Sequence, residues 1–351
     1  MKSQMEKQIL GCLVGGAMGD TLGRPVEGWD YDRIVEEYGL IEDPFADLKT
    51  APDQLFAQDV GTDDTSLAQI LCRTYLDKRG RVSPEDYSAA WLEQMDVKYY
   101  WYCMSNSYEL LRSGMSARTV GGMNIVTGSG LMSVNPVAIY NACDPERAYY
   151  DAVELTSMFQ RGVSIFSAGT VAAAIAEALS PDATCDSVLE TAVRWAPSEP
   201  VKTFDYSSSY NMRDAVSLAV ETGLKYSDPL KMREEAYNKL IHFQSFDCRE
   251  TMLLAFAVFA AAKGDTQKAI IGGANIGRDT DTISSIVGQL CGALNGLDSI
   301  PADWLDIFMK LPPAGAFVSV ASEMAELLNK KARREKDISE TILQNTKKRE
   351  M

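Results

Sequence analysis

Two series of glycines, spaced four residues apart, constrain the fold of this chain most strongly. They are Gly11, Gly15, Gly19 and Gly23, and then Gly288, Gly292 and Gly296. Residues four apart share one face of an α-helix, so each series predicts a smooth stripe along a helix. Glycine costs about 1 kcal/mol relative to alanine inside a helix. We therefore expect the stripes to serve the close packing of two central helices.

Apolar residues recur with helical spacing along most of the 351 residues. The periodicity predicts helices over residues 5–18, 63–78, 84–96, 145–158, 163–179, 211–224, 228–242, 248–263, 281–297 and 318–345. No alternating strand pattern and no βαβ rhythm is evident. We predict an all-α fold, with a single compact multi-helix domain over residues 1–329 and a charged C-terminal helix or tail over residues 330–351.

Charge and composition exclude several classes of function. The net charge of −15 repels phosphate backbones, which argues against binding to duplex nucleic acid. The longest apolar run, residues 252–262, is shorter than the roughly 20 residues needed to span a bilayer. Seven scattered cysteines without a CxxC pair suit a reducing compartment, and no secretion signal is evident. We expect a cytoplasmic protein that does not contact membranes.

The chain has one histidine, His242, which excludes Ser-His-Asp, Cys-His and multi-histidine zinc mechanisms. Carboxylates must therefore carry any catalysis. Residues 61–65 (GTDDT) and 277–282 (GRDTDT) both precede apolar helices. Helix capping explains each segment alone. If the two helix starts meet, however, their carboxylates would repel one another unless a cation lies between them, and oxygen ligands favour Mg²⁺ or Mn²⁺.

The motifs GxxxGDTLGxxxE, TDDT and GxDTDTI, followed by GQLCGALNG, Ile300-Pro301 and Trp304, occur in a specific order. In order and spacing they resemble the ADP-ribosylglycohydrolase family, from about residue 5 to residue 310. That family includes dinitrogenase reductase-activating glycohydrolases, ADP-ribosyl-acceptor hydrolases and J-type crystallins. The resemblance implies a compact all-α fold and a hydrolase (glycosidase) that cleaves the bond between C1″ of a ribose and its acceptor.

The resemblance also implies a cofactor and site residues. Two Mg²⁺ or Mn²⁺ ions are expected in a central cleft, with Asp281 as their bridge. The matching metal-binding positions are Thr62, Asp63, Asp64, Asp279, Asp281 and Thr282. Glu27 matches a glutamate on a loop beside the metals, and Glu27 or Asp64 is expected to exchange the catalytic protons. Asp20, just before that loop, is expected to be structural.

Substrate contacts are expected at Gly128, Ser129, Gly130, Met132 and Arg278. Residues 127–136 resemble the family's glycine-rich loop, whose amides contact a diphosphate, although an ordinary interhelical loop is an alternative. Arg278 is expected to pair with a substrate anion, or else with Asp20 or Glu27. The aromatic run 99–102 is open to two interpretations, nucleobase stacking and packing.

Three positions depart from the family pattern. Ser133 replaces a common arginine, Ser157 follows Thr156 where a histidine is common, and Arg278 replaces a glycine. The first hypothesis is a glycohydrolase acting on an N- or O-linked ADP-ribosyl or related ribosyl conjugate, free or on an ADP-ribosylated protein. The second is a hydrolase of nucleosides or other small ribosides without a diphosphate. The third is a non-catalytic, crystallin-like binding or structural member.

Overall fold

The computed structural model describes residues 2–46, 60–199 and 211–347. These residues form sixteen α-helices and no β-strand, which confirms the all-α prediction. The helices are α1 (Gln4–Gly23), α2 (Tyr31–Tyr38), α3 (Asp63–Lys78), α4 (Pro84–Gln94), α5 (Tyr102–Arg112), α6 (Asn135–Tyr140), α7 (Pro145–Thr156), α8 (Val163–Ala178), α9 (Cys185–Trp195), α10 (Met212–Leu224), α11 (Pro229–Leu240), α12 (Cys248–Ala262), α13 (Thr266–Asn275), α14 (Thr280–Asn295), α15 (Ala302–Phe308) and α16 (Ala314–Lys347).

Helices α1 and α14 pack against each other in opposite directions at the centre of the molecule. A β-carbon on Gly15 would lie 2.3 Å from the carbonyl oxygen of Gly288, and one on Gly19 would lie 2.0 Å from that of Ser284. No side chain fits at such distances, so the glycine stripes are needed for this contact. Gly296 differs from the prediction, because it lies just beyond α14 with φ 76° and ends that helix.

Helix α12 lies in the core and is buried along its whole length, from Cys248 to Ala262. It contacts α14 on one side and α10 on another. This burial explains why its apolar residues form a continuous run instead of a stripe. Among the described residues, no helix is long and apolar enough to cross a membrane.

Helix α16 continues past residue 330, where the sequence predicts the start of a charged helix or tail. Its first half buries Phe317, Val320 and Met324 against the core. Residues 332–346 are exposed on all sides. Residues 348–351 of the predicted tail lie outside the described residues, and the boundary between 329 and 330 stays a prediction.

Candidate functional site

The N-termini of α3 and α14 meet at one cleft, with a cavity of about 360 Å³. The antiparallel packing of α1 on α14 explains the meeting point, because Gly23 at the end of α1 lies against Thr280 at the start of α14. The loop after α1 therefore brings Glu27 to the same place. Ten of the predicted site residues line the cleft: Glu27, Asp63, Asp64, Gly128, Ser129, Met132, Arg278, Asp279, Asp281 and Thr282.

A compact group of carboxylates stands at the start of α14. Oxygens of Glu27, Asp279 and Asp281 all lie within 4.8 Å of one another. The hydroxyl of Thr251 donates to Oδ2 of Asp279 at 2.9 Å, and the backbone N–H of Thr282 donates to Oδ1 of Asp281 at 2.9 Å. Glu27, to which the sequence assigns only proton exchange, is thus placed where a metal ligand would be.

The second group stands at the start of α3, where Thr62 is the N-cap residue and does not line the cleft. The Thr62 hydroxyl accepts from the N–H of Asp64 at 3.4 Å, while Oδ2 of Asp63 accepts from the N–H of Trp101 at 3.3 Å. Asp64 is 2% exposed, and its Oδ2 has no hydrogen-bond partner among the described residues. One buried carboxylate oxygen therefore still requires a donor or a cation.

Asp20 holds the N-terminus of α3 in place through hydrogen bonds. Its Oδ2 accepts from the N–H of Thr62 at 2.7 Å, from the N–H of Thr65 at 3.1 Å and from the Thr65 hydroxyl at 2.5 Å. These bonds satisfy free amides at the helix N-terminus. The arrangement agrees with the structural role expected of Asp20, although its Oδ1 is buried and unpartnered among the described residues.

Burial and mutual repulsion raise the pKa values of the carboxylates in the cleft. Burial, followed by the charges of Asp20 and Asp281, raises the pKa of Asp64 well above its usual range. Burial and neighbouring carboxylates raise the pKa of Asp281 in the same way, and they raise that of Asp279 to about 7. Partial burial and the charges of Asp63 and Asp20 raise the pKa of Glu27. A hard divalent cation, which prefers carboxylate oxygens, fits this donor set.

Arg278 connects the start of α14 to the Glu27 loop. The N–H of Gly28 donates to the carbonyl of Arg278 at 2.7 Å, and the N–H of Arg278 donates to the carbonyl of Trp29 at 2.6 Å. The guanidinium Nε donates to Oε1 of Glu250 at 2.6 Å, and Nη1 lies 3.4 Å from Oδ1 of Asp30. One of the two expectations for Arg278, pairing with Asp20 or Glu27, is therefore wrong, since the guanidinium pairs with Glu250 and Asp30 instead.

The backbone of Arg278 has φ 74°, in the left-handed region that favours glycine. This conformation explains why glycine is common at the position in the family that the sequence resembles. A residue with a β-carbon costs about 1–2 kcal/mol there. The buried ion pair with Glu250 holds the arginine in place, because Glu250 is fully buried and accepts both from Arg278 and from the N–H of Phe243.

Two residues in the first turn of the buried helix α12, Glu250 and Thr251, were not among the site residues predicted from the sequence. The signal was nonetheless present in the polar stretch 247–251 that precedes the apolar run of α12. It is the same signal that marked the starts of α3 and α14. Thr251 contacts Asp279 and Glu250 contacts Arg278, so a third helix start supports the cleft.

The glycine-rich loop lies beside the carboxylates, but two of its amides donate within the protein. The N–H of Gly128 donates to the carbonyl of Phe246 at 2.8 Å, and the N–H of Ser129 donates to the Thr127 hydroxyl at 3.4 Å. Gly130 does not line the cleft. A β-carbon there would face Gln160 in the interior, at 3.3 Å from its Cγ.

Aromatic side chains share the cleft with the metal-ligand candidates. Tyr99, Tyr100, Trp101 and Phe246 all line the cleft. The rings of Trp101 and Phe246 are 5.3 Å apart at an angle of 42° and are partly exposed. Trp101 and Phe246 therefore do not belong to the core, and they offer apolar ring faces to a ligand.

Comparison with known proteins identifies a family and two relatives of this chain. The family model described as ADP-ribosylglycohydrolase matches residues 1–337. The chain is 26% identical over 305 residues to an uncharacterized protein, YegU, of Escherichia coli K12, covering 84% of this chain and 89% of YegU. It is 23% identical over 312 residues to an uncharacterized protein of Archaeoglobus fulgidus, covering 86% and 92% of the two chains.

The fold is also found among solved structures. A structure described as an ADP-ribosylglycohydrolase-related protein complex superposes with a TM-score of 0.64 at 19% identity, covering 93% of this chain and 99% of the other. The match confirms the single multi-helix fold expected from the sequence motifs. The family model extends over nearly the whole chain. The protein therefore belongs to the ADP-ribosylglycohydrolase family.

Proposed function

We propose that the protein is a divalent-metal-dependent glycohydrolase, which cleaves the bond between C1″ of a ribosyl group and a nitrogen or oxygen acceptor. Family membership supports a glycosidase in general, and ADP-ribosyl conjugates are the type of substrate that the family suggests. The observation that carries the proposal is the convergence of Glu27, Asp279 and Asp281 oxygens within 4.8 Å at the bottom of a cleft.

The carboxylates fit one or two Mg²⁺ or Mn²⁺ ions. Glu27, Asp279 and Asp281 would hold the ion at α14, and Asp63 and Asp64 would hold a neighbouring one. The hydroxyls of Thr62 and Thr282 would complete the oxygen donor set. Such ions supply Lewis-acid polarisation of the sugar and favour ionisation of water beside them. The unpartnered Oδ2 of Asp64 supports the proposal, because it is a buried acceptor without a donor among the described residues.

The chain's own residues have two tasks in the reaction. The bond from C1″ to the leaving atom breaks, and a bond from C1″ to a water oxygen forms. As the first bond breaks, positive charge develops at C1″ and the ring oxygen, and nearby carboxylates stabilise it. Burial and neighbouring carboxylates raise the pKa of Glu27, which favours proton exchange by this side chain. Glu27 or Asp64 accepts one proton of the water, and the leaving atom receives one.

The test is hydrolysis by metal-free protein to which Mg²⁺ or Mn²⁺ is returned. Ribosyl conjugates with and without a diphosphate serve as substrates, and released ribose or ADP-ribose is measured by chromatography. We expect turnover only with metal, and loss of about 10²-fold or more in kcat for Glu27→Gln. Glu36→Gln, on the exposed face of α2, is the control. Metal-independent turnover would contradict the proposal, and metal and ligand binding without any turnover would indicate the non-catalytic alternative.

A further inference from the structure

We infer that the substrate of this cleft is an uncharged N-riboside of the nucleoside type, and that a diphosphate-bearing conjugate is a poor substrate. The inference rests on the proposed function and specifies its substrate class. Four features of the cleft support it: the hydrogen bonds of the glycine-rich loop, the pairing of Arg278 with Glu250, the acidic lining, and the aromatic rings that share the cleft with the carboxylates.

The glycine-rich loop is not arranged to receive a diphosphate. An anion held by a glycine turn requires backbone N–H groups that point toward it. The N–H of Gly128 instead donates to the carbonyl of Phe246 at 2.8 Å, and the N–H of Ser129 turns back to the Thr127 hydroxyl at 3.4 Å. The N–H of Thr127 is also used, since it donates to the Ser164 hydroxyl at 3.1 Å. Three successive amides are thus engaged within the protein.

Among the described residues, the cationic side chains that line the cleft are Lys98 and Arg278, and Arg278 is held by a buried partner. Arg278 donates to fully buried Glu250 at 2.6 Å. Lys98 lies 3.0 Å from a carboxylate oxygen of Asp96, and both of these side chains are more than half exposed. Moving the guanidinium of Arg278 to a phosphate would leave the carboxylate of Glu250 buried without its partner, which is strongly unfavourable.

The charge of the cleft points the same way. Among the described residues, five carboxylates line the cleft: Glu27, Asp63, Asp64, Asp279 and Asp281. The two cations on the lining are Lys98 and Arg278, and Arg278 is paired with buried Glu250. A diphosphate would add about two negative charges to this acidic lining, whereas an uncharged sugar with two hydroxyls adds none.

The aromatic pair lines the same cleft as the carboxylates and can contact a base attached directly to C1″. Trp101 is 41% exposed and Phe246 is 38% exposed, so both ring systems are available to a ligand. The backbone N–H of Trp101 donates to Oδ2 of Asp63 at 3.3 Å, which fixes this segment beside the carboxylates. A nucleobase joined to the reacting carbon by one bond would therefore reach the rings while its ribose lies over the carboxylates.

The experiment compares two substrate classes with the Mg²⁺-loaded protein. We expect kcat/KM for purine nucleosides to exceed that for ADP-ribosyl-arginine by about tenfold or more. Trp101→Ala should raise KM for the nucleoside by about five- to a hundredfold with a smaller effect on kcat. Tyr102→Ala is the matched control, because Tyr102 is exposed next to Trp101 but does not line the cleft.

The outcomes separate this inference from the proposed function. Faster turnover of the ADP-ribosyl conjugate would overturn the inference and leave the glycohydrolase standing. Absence of turnover with either class would contradict the proposed function. In that case calorimetric titration of adenosine and ADP-ribose into the Mg²⁺-loaded protein still tests the inference. Tighter binding of adenosine supports it, and tighter binding of ADP-ribose, or binding of neither, overturns it.

Discussion

The ion pair between Arg278 and Glu250 gives the most quantitative prediction. The Glu250 side chain is fully buried and the Arg278 side chain is 20% exposed. The distance from Nε of Arg278 to Oε1 of Glu250 is 2.6 Å. Removing one partner of a buried pair costs about 3–5 kcal/mol, because the other charge stays buried. We expect Arg278→Ala to lower the free energy of unfolding by about 3 kcal/mol, the lower end of that range, since the guanidinium is partly accessible.

The backbone conformation of Arg278 has a second effect on stability, which favours glycine at this position and so opposes the loss of the ion pair. At φ 74° a β-carbon costs about 1–2 kcal/mol that glycine avoids. Arg278→Gly should therefore be more stable than Arg278→Ala by about that amount, although both lose the same ion pair. In a Glu250→Gln background the loss on removing Arg278 should shrink, giving a coupling free energy of about 2 kcal/mol.

Urea unfolding followed by circular dichroism, at fixed pH and without divalent metal, measures these differences. Arg118→Ala is the matched control. Its Nε lies 2.6 Å from Oε1 of Glu85, the same separation, but both side chains are more than half exposed. That substitution should have a much smaller effect on the free energy of unfolding, because solvent screens an exposed ion pair. The reasoning is refuted if Arg278→Gly is no more stable than Arg278→Ala, or if the coupling with Glu250 is below about 0.5 kcal/mol.

Three further predictions concern packing, pH and metal. Gly15→Ala should destabilise the fold by about 1–3 kcal/mol, because its β-carbon would lie 2.3 Å from the Gly288 carbonyl; Gly315→Ala, with open space around it, is the control in the same thermal melts. The metal-free protein should lose stability as pH rises from about 4 to 7, because the raised pKa of Asp279, about 7, means that the folded state keeps a proton that the unfolded state has lost. Saturating Mg²⁺ should remove this pH dependence in differential scanning calorimetry, and a metal-free protein that gains stability over this range would contradict the raised pKa. Asp281→Asn should abolish turnover while circular dichroism stays helical, and unchanged turnover would contradict the assignment of Asp281 as a ligand.

Much of the fold is predictable because its signals are local. The glycine stripes predicted the close packing of two helices, and the long amphipathic helices were identified from their periodicity. Six helices lie outside the ranges predicted from periodicity: Tyr31–Tyr38, Tyr102–Arg112, Asn135–Tyr140, Cys185–Trp195, Thr266–Asn275 and Ala302–Phe308. Of these, Ala302–Phe308 has a start that the sequence marks, at Ile300-Pro301. The shortest of these make only about two turns, too few for a periodicity to develop.

The sequence predicted the site residues that begin helices. It did not predict the contacts between side chains that are far apart in the sequence. The acidic starts of α3 and α14 are visible in the sequence, and so is Glu27. The partner of Arg278 is not, because Glu250 lies 28 residues away on another helix. The engagement of the Gly128 amide by Phe246 is likewise a tertiary contact. No local pattern distinguishes an amide that is free from one that is used.

The central claim is that the convergent carboxylates form a divalent-metal site. Calorimetric titration of Mg²⁺ and Mn²⁺ into the metal-free protein tests it most directly. The account predicts saturable binding with proton release, since Asp279 has a raised pKa, and loss of that binding in Asp281→Asn. Absence of saturable binding in the wild-type protein, or binding unchanged by Asp281→Asn, would contradict it.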